Sequence, residues 1–556
     1  MARFEEDIKQ DEMLGNLVVM GVSLIVIAAV VIGVVAGVDN PKQGSEVSTN
    51  ITLDALCNQT DYRESCLSSL EPIGNKSEVI NYFKGAVNAT ISEMVYVLNK
   101  IQGITGVTKI PEKMALDDCV EMIELCLDDL QSVMRMVNTT PSMFYNDSSD
   151  ARISLSAVIS YQRTCVEGII EGEAFFDMNR ALQKSMELVS NALAIIYAFS
   201  DNDDKEADPG GVNRRSVIEE GIGEDENPEG RKLLSMQTYN IKVSQVPDAI
   251  VAKDGSGQYG RITDAINAYP NGHKGRYLIY VKSGTYKENV IIPKNKTQIF
   301  MYGDGIDNTI IAGADMIGNS YRSASLSAIG NGFICKDISI VQKIYGRRLT
   351  RALKVQSDNA VFFNCRINAS ISAIFALAHR QFFRDCEIQG VAAIIRGDAA
   401  VVFQRCRIIV TEPEVIVNVI TAQGRSDRHE STGFVIHSCN IERDKSRYPA
   451  DVKNGTALGF PLQKFSRTII MESFLGDLIS PEGWYDDDQN YGIETVTFVE
   501  YGNKGPGAQT NKRVKWPGYT VINNKNDVLR YTVGRFIQAQ KWLPGTEVPF
   551  QAGLFS

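Results

Sequence analysis

Apolar residues recur at two different periods along this chain, and the change between them divides it. Between residues 50 and 200 the spacing is three or four. Val79, Phe83, Val87, Ile91, Met94, Leu98 and Ile101 form one stripe. Val120, Ile123, Leu127, Leu130, Met134 and Val137 form a second, and Leu182, Met186, Val189, Leu193 and Ile196 a third. Each stripe predicts an amphipathic helix, and several such faces bury themselves by packing into an antiparallel bundle. After Tyr239 short strand phrases take over. One phrase returns as Val361-Phe-Phe-Asn-Cys365-Arg-Ile, Gln381-Phe-Phe-Arg-Asp-Cys386-Glu-Ile, Val401-Val-Phe-Gln-Arg-Cys406-Arg-Ile and Gly433-Phe-Val-Ile-His-Ser-Cys439-Asn-Ile. Its cysteines fall 21, 20 and 33 residues apart. A period near 20 with one phrase per repeat predicts a solenoid of stacked coils, in which Phe and Cys form ladders and the longest interval carries an insertion. A sandwich would lack that fixed period. The cysteines Cys365, Cys386 and Cys406 either stack in the core or oxidise in pairs; spacing leaves both open.

Between the two patterned regions, residues 201–240 are acidic and hold few apolar anchors, which predicts a linker. The basic pairs Arg214-Arg215 and Arg231-Lys232 stand out within it. At the other end, Leu17 to Val38 contains no charged residue, and at ~1.5 Å per residue it is long enough to cross a bilayer core. Its leader, residues 1–16, is acidic, unlike that of a cleaved signal peptide. A signal anchor is therefore expected over 17–38 with a cytoplasmic tail before it. Nine Asn-x-Ser/Thr sequons begin at Asn50, Asn58, Asn75, Asn88, Asn138, Asn146, Asn295, Asn368 and Asn454. They place the remainder of the chain in the secretory pathway. The net charge of −10 leaves no basic footprint for nucleic acid.

Short segments then narrow the reading. Leu56-Cys57-Asn-Gln-Thr-Asp-Tyr-Arg-Glu-Ser-Cys66, Ala-Leu-Asp-Asp-Cys119 and Gln162-Arg163-Thr164-Cys165 resemble the pectin methylesterase inhibitor domain over nearly its whole length. The resemblance implies Cys57–Cys66 and Cys119–Cys165 bridges and leaves Cys126 unpaired, either a buried small apolar residue or a reactive thiol. Val251-Ala-Lys-Asp-Gly-Ser-Gly-Gln-Tyr, Gly284-Thr-Tyr-Lys-Glu-Asn-Val, His379-Arg-Gln-Phe-Phe-Arg-Asp-Cys, Thr421-Ala-Gln-Gly-Arg and Glu500-Tyr-Gly-Asn-Lys-Gly-Pro-Gly-Ala resemble plant pectin methylesterase across residues 241–556. What this implies is a four-helix bundle over 50–200 followed by a right-handed parallel β-helix, acting on pectin at the plant cell wall. Arg231-Lys232-Leu-Leu resembles the site at which precursors of that family are cut by a processing protease. No metal or cofactor is implied.

The same resemblance locates a catalytic set that this chain lacks. The family uses two aspartates, as nucleophile and as general acid/base, two glutamines at the oxyanion and an arginine beside the nucleophile. Those positions fall here on Ala393, Ser372, Leu349, Ile371 and Phe460, and a substrate-stacking tryptophan falls on Leu462. Alanine has no lone pair to attack with, and one missing oxyanion donor alone costs ~3 kcal/mol. Ser372 lacks a base placed beside it by sequence; His379 is the nearest histidine. Asp385, Glu387 and Asp398 read as structural or solvated. Arg396 replaces a phenylalanine, and strand alternation from an outward Ala393 turns it inward, which demands a partner or a local turn. If it reaches the binding face, it meets galacturonate carboxylates. Three functions follow: a non-catalytic homologue that binds pectin or a partner esterase, an inhibitor working through its helices, or a demethylesterase with a reorganised site.

Overall fold

The computed structural model describes residues 50–104, 110–168, 173–199, 246–313, 321, 323–342, 351–411, 418–444, 446, 455–486 and 492–555. The expected tail 1–16, the apolar span 17–38, the linker 201–240 with Arg231 and Lys232, and the positions Leu349 and Asn454 lie outside them. Among the described residues no helix is long and apolar enough to cross a membrane.

Four long helices make the first layer: α1 (Val79–Gln102), α2 (Ile110–Thr139), α3 (Ser149–Gly168) and α4 (Glu173–Phe199). They close a ring in which α1 packs on α2 and α4, and α3 on the same two. The predicted stripes line its centre, with Val79, Phe83, Val87, Met94, Ile123, Leu130, Leu182 and Val189 fully or almost fully buried. Cys57 bridges Cys66 in the short N-terminal helices, and Cys119 bridges Cys165, tying α2 to α3. The α3 helix departs from the amphipathic rule. Every residue from Ala151 to Gln162 is buried, including Ser154, Ser156 and Ser160. One of its faces fills the bundle and the other lies against the second domain.

That second domain is a parallel β-helix of three sheets, with eleven, eight and seven strands. The seven-stranded sheet carries the candidate site. Its strands are β1 (Val290–Ile292), β2 (Leu326–Ala328), β3 (Arg351–Val355), β4 (Ser372–Ala376), β5 (Ile395–Gly397), β6 (Asn418–Gln423) and β7 (Thr456–Pro461), paired in sequence order. The recurring phrase has a geometric origin. Asp337, Asn364, Asp385, Arg405, Ser438 and Glu472 each take a left-handed φ between +50° and +57° at the corner between two sheets. Asn and Asp tolerate that region better than most residues. The residue following each corner turns inward, and at four of the six it is the repeated cysteine. Phe362, Phe383 and Phe403 stack above one another with ring centroids 4.7 Å apart. Cys365, Cys386, Cys406 and Cys439 are all buried free thiols, so the stacked alternative holds over the oxidised one; Cys126 is likewise buried and free.

Truncating the middle of the aromatic ladder, Phe383→Ala, is expected to destabilise the β-helix by about 3–5 kcal/mol. Denaturant unfolding followed by near-ultraviolet circular dichroism checks this, with the helical signal retained until the same transition.

Candidate functional site

The seven-stranded sheet has one face in the solenoid core and one outside. Leu353, Ile374, Ile395 and Leu458 point in. Register then aligns Lys354, Phe375, Arg396, Ala422 and Phe460 across β3 to β7 on the outer face. Arg396 therefore points outward, which corrects the inward direction expected from strand alternation. The alternation breaks because Ala393 sits in a left-handed bend at φ +45° before β5 begins. The partner expected for a constrained charge is also present: Arg396 Nη2 lies 3.1 Å from Glu167 Oε2 at the end of α3.

Of the residues that the resemblance assigns to catalytic positions, Ile371, Ser372 and Ala393 lie together at the start of β4 and just before β5, and Phe460 lies on β7. Ser372 opens β4, is 5% exposed and donates its hydroxyl to the Ala393 carbonyl oxygen at 2.9 Å. Ile371 and Ala393 are half-buried at the same edge, Phe460 is half-buried on β7, and Leu462 follows it, donating its N–H to Gln423 O at 3.0 Å. His379 is not beside Ser372. Its Nε2 lies 3.1 Å from Asp129 Oδ2 of α2. The acidic residues nearby are engaged elsewhere: Asp385 with Arg384 and Arg405, Glu387 with Arg366 and Arg407, and Asp398 with Gln423 and Thr432.

Sequence reasoning missed Arg351, which pairs in register with Ser372 and lies over the Phe375 ring at 4.2 Å. Burial first, then the neighbouring Arg396, pushes its guanidinium down to about 9. Lys354 stands over the Tyr321 ring at 3.4 Å. The signal was present in Arg351-Ala-Leu-Lys354-Val, two cations on an otherwise apolar strand. This face is basic and aromatic.

The helical bundle covers it. Phe375, Leu377, Ala378, Tyr321 and Ile329 of the β-helix belong to the bundle's own apolar core. Ser160 of α3 donates to Leu377 O at 2.6 Å, and Ser431 N donates to Ser156 Oγ at 3.1 Å. Among the described residues six ion pairs cross the contact: Asp61–Arg428, Asp128–Lys294, Asp129–His379, Asp147–Lys541, Asp150–Arg380 and Glu167–Arg396. In every one the acid comes from the bundle side and the base from the β-helix. Most are partly exposed and contribute little singly. Two are buried exceptions: His379 with Asp129, and Arg380, 5% exposed and held between Asp150 at 2.7 Å and Asp358 at 2.6 Å. Burial would raise the Asp358 carboxyl, but Arg380 overrides it and holds it at about 2. Burial would lower His379, but Asp129 overrides it, with Asp358 adding and Lys294 opposing, so its pKa lies above 6.5.

Of the sequons, Asn58, Asn75, Asn138, Asn146 and Asn295 are exposed, and Asn88 is half-buried. Asn368 is half-buried and donates to Gln389 Oε1 at 2.8 Å, while Asn50 lies in the first short strand. Asp61, Asp427 and His429 bring ligand atoms within 4.8 Å of one another, the one metal-compatible cluster among the described residues. Asp61 is already paired with Arg428 and His429 with Asp427.

A helical bundle seated through acidic side chains on a parallel β-helix defines a two-domain protein in which one domain covers the other's outer sheet. Comparison gives that class its family. The pectinesterase family model matches residues 248–540, and the plant invertase/pectin methylesterase inhibitor model matches 52–195. A probable pectinesterase/pectinesterase inhibitor 21 of Arabidopsis thaliana is 34% identical over 559 residues, covering 97% of this chain and 82% of that protein. Pectinesterase/pectinesterase inhibitor U1 of Solanum lycopersicum is 32% identical over 571 residues, covering 96% of each. The solved pectin methylesterase from carrot shares 38% identity at a TM-score of 0.54, covering 56% of this chain and 98% of its own. The chain belongs to the pectinesterase/pectinesterase-inhibitor family.

The two perturbed groups at the contact set a pH window. Asp358, depressed when folded, contributes stability above its unfolded value of ~3.9 and loses it as pH falls toward 2. His379, raised when folded, contributes fully below ~6.5 and loses that contribution as pH climbs through its folded value. Thermal unfolding of residues 39–556 is expected to be most resistant between about pH 4 and 6.5. His379→Gln should reduce the decline on the alkaline side and, because His379 also helps Arg380 to depress Asp358, soften the acid limb without abolishing it.

Proposed function

We propose that this protein is an esterase-silent member of its family that binds pectin, carried through the secretory pathway as a membrane-anchored precursor to the cell wall. The observation that carries the reading is the pair Ser372 and Ala393. Alanine supplies no nucleophile, and the serine hydroxyl is spent on the Ala393 carbonyl. A serine attacks only when a base takes its proton, and His379 is committed to Asp129. Loss of an oxyanion donor (~3 kcal/mol) and of acid/base help (~10²–10⁴-fold) compounds the deficit. What the face offers instead is Arg351, Lys354 and Arg396 beside Phe375 and Phe460, cations and ring faces suited to the carboxylates and sugar rings of demethylated galacturonan. Residues 17–38 would serve as the anchor, and cleavage at Arg231-Lys232 would release the wall-bound form.

A second reading has its own support. The bundle meets the β-helix through six carboxylates set against six bases, a surface equally able to engage a related esterase in trans. Inhibition of an active pectinesterase by residues 39–556 would favour it.

Methanol release from methylated pectin by residues 39–556 is expected to stay at background. Restoring Asp at 372 and 393 with Gln at 349 and 371 should raise it measurably. Turnover by the unaltered chain at the rate of an active relative rules the proposal out.

A further inference from the structure

Strand β5 ends at Gly397, and the residue after it, Asp398, is 4% exposed. Glu430, 1% exposed, lies in the loop that joins β6 to the strand Gly433–His437. Each carboxyl has one oxygen engaged. Asp398 Oδ1 accepts from Gln423 Nε2 at 3.0 Å and from Thr432 Oγ1 at 2.6 Å. Glu430 Oε1 accepts from the Ser426 N–H at 2.9 Å, the Ser426 hydroxyl at 3.1 Å and the Asp427 N–H at 2.7 Å. The other two oxygens, Asp398 Oδ2 and Glu430 Oε2, are buried and reach no donor among the described residues. The two carboxyls stand within hydrogen-bond reach of each other.

Two ionised carboxylates placed this way would repel one another and would each bury an oxygen without a donor. One proton removes both penalties, because a neutral carboxyl donates where a carboxylate only accepts. The other charges that face the pair come from two elements. Arg163 of α3 and Arg425 of the loop draw Asp398 toward its ionised form, and Asp427 of the loop opposes ionisation of Glu430. Burial first, then Asp398, then Asp427 push Glu430 well above the carboxylate range. Burial raises Asp398 as well, against the pull of Glu430, Thr432, Arg163 and Arg425.

The loop that these groups brace is the β-helix's side of one corner of the contact. From it Arg428 pairs with Asp61 at 2.6 Å, Asp427 accepts from the Ser190 hydroxyl of α4, and Ser431 N donates to Ser156 Oγ of α3 at 3.1 Å. Its shape hangs on Glu430. The Ser426 and Asp427 amides are tied to the carboxyl, and the Glu430 backbone carbonyl accepts from Arg425 Nε at 3.0 Å. We infer that Asp398 and Glu430 share one proton, which Glu430 donates to Asp398, and that this proton clasps the 425–431 loop against the bundle. Its loss as pH rises unseats that corner. The clasp works in the same sense as His379, which also holds best when protonated, but from a different element. It does not depend on whether the outer sheet binds pectin or turns it over.

Glu430, raised when folded, contributes fully below its unfolded value of ~4.3 and loses that contribution as pH climbs through its folded value. An open loop releases the proton that the closed loop keeps, so opening becomes about tenfold easier per pH unit between those two values. Amide hydrogen exchange of the full chain tests this, read on peptides spanning 424–432 and corrected for the intrinsic pH dependence of exchange. From about pH 5 to about pH 7, wild-type protection there should fall roughly tenfold or more. Glu430→Gln keeps the acceptor for the loop amides and offers Asp398 an N–H in place of the proton, so its protection should stay within about threefold over the same range. Asp398→Asn, the reciprocal change, should behave alike. Infrared spectra read the proton directly: the wild type should keep a neutral-carboxyl band at neutral pH that Glu430→Gln lacks. His379→Gln, on another element, should leave both readouts in place. The inference fails if wild-type protection at 424–432 is level with pH, if Glu430→Gln declines as the wild type does, or if Glu430 contributes no neutral-carboxyl band.

Discussion

Each coil of the β-helix satisfies its backbone and hides its inner face only against the coil beneath it. That requirement organises the rest. A parallel strand has no partner within its own turn, so the ladder hydrogen bonds of β3, β4 and β5 are made with the neighbouring coils. The corners must then recur at the same place, which is why six left-handed residues stand in line at φ +50° to +57°. Buried residues follow those corners, four of them cysteines, and the Phe362–Phe383–Phe403 stack fills the space beside them. The flat outer sheet that results is rigid enough to hold Lys354, Phe375 and Arg396 in one row.

Docking of the bundle follows from that flatness. A helix with serines on one face would ordinarily turn them to water. In α3 those serines are buried because the β-helix supplies acceptors and donors at the right positions, Leu377 O and Ser431 N among them. The contact is apolar at its centre, through Phe375, Leu377 and Tyr321, and charge-sorted around it. Arg380 is the most confined charge of the set. Buried between two carboxylates, it makes its geometry costly to leave, since an uncompensated charge there would be expensive.

The proposed silence toward esters rests on which side chains stand at the positions that the resemblance assigns. Ser372, Ala393 and Ile371 stand where it expects two carboxylates and an amide, and Phe460 where it expects an arginine. In that reading the face, with Arg351 and Arg396 beside Phe375, holds anionic polymer and offers no electron pair to a carbonyl.

The periodicities and the recurring strand phrases are local or short-range signals, so the bundle and the coils were legible from the chain alone, while the two bridged cysteine pairs came from the family resemblance and the structure bears them out. The proposal that the catalytic positions lack their carboxylates also comes from the chain alone, through the resemblance, because the identity of a residue needs no coordinates to be noticed. Direction and partnership were not legible there. Arg396 faces out because a bend at Ala393 resets the alternation, and its partner Glu167 lies 229 residues away. Arg380 meets Asp150 across 230 residues, and α3 hides its serines only because another domain lies on them. A sequence fixes which side chains are available through backbone preference and hydrophobic period; which charges meet is decided by long-range packing, where no local spacing carries the information.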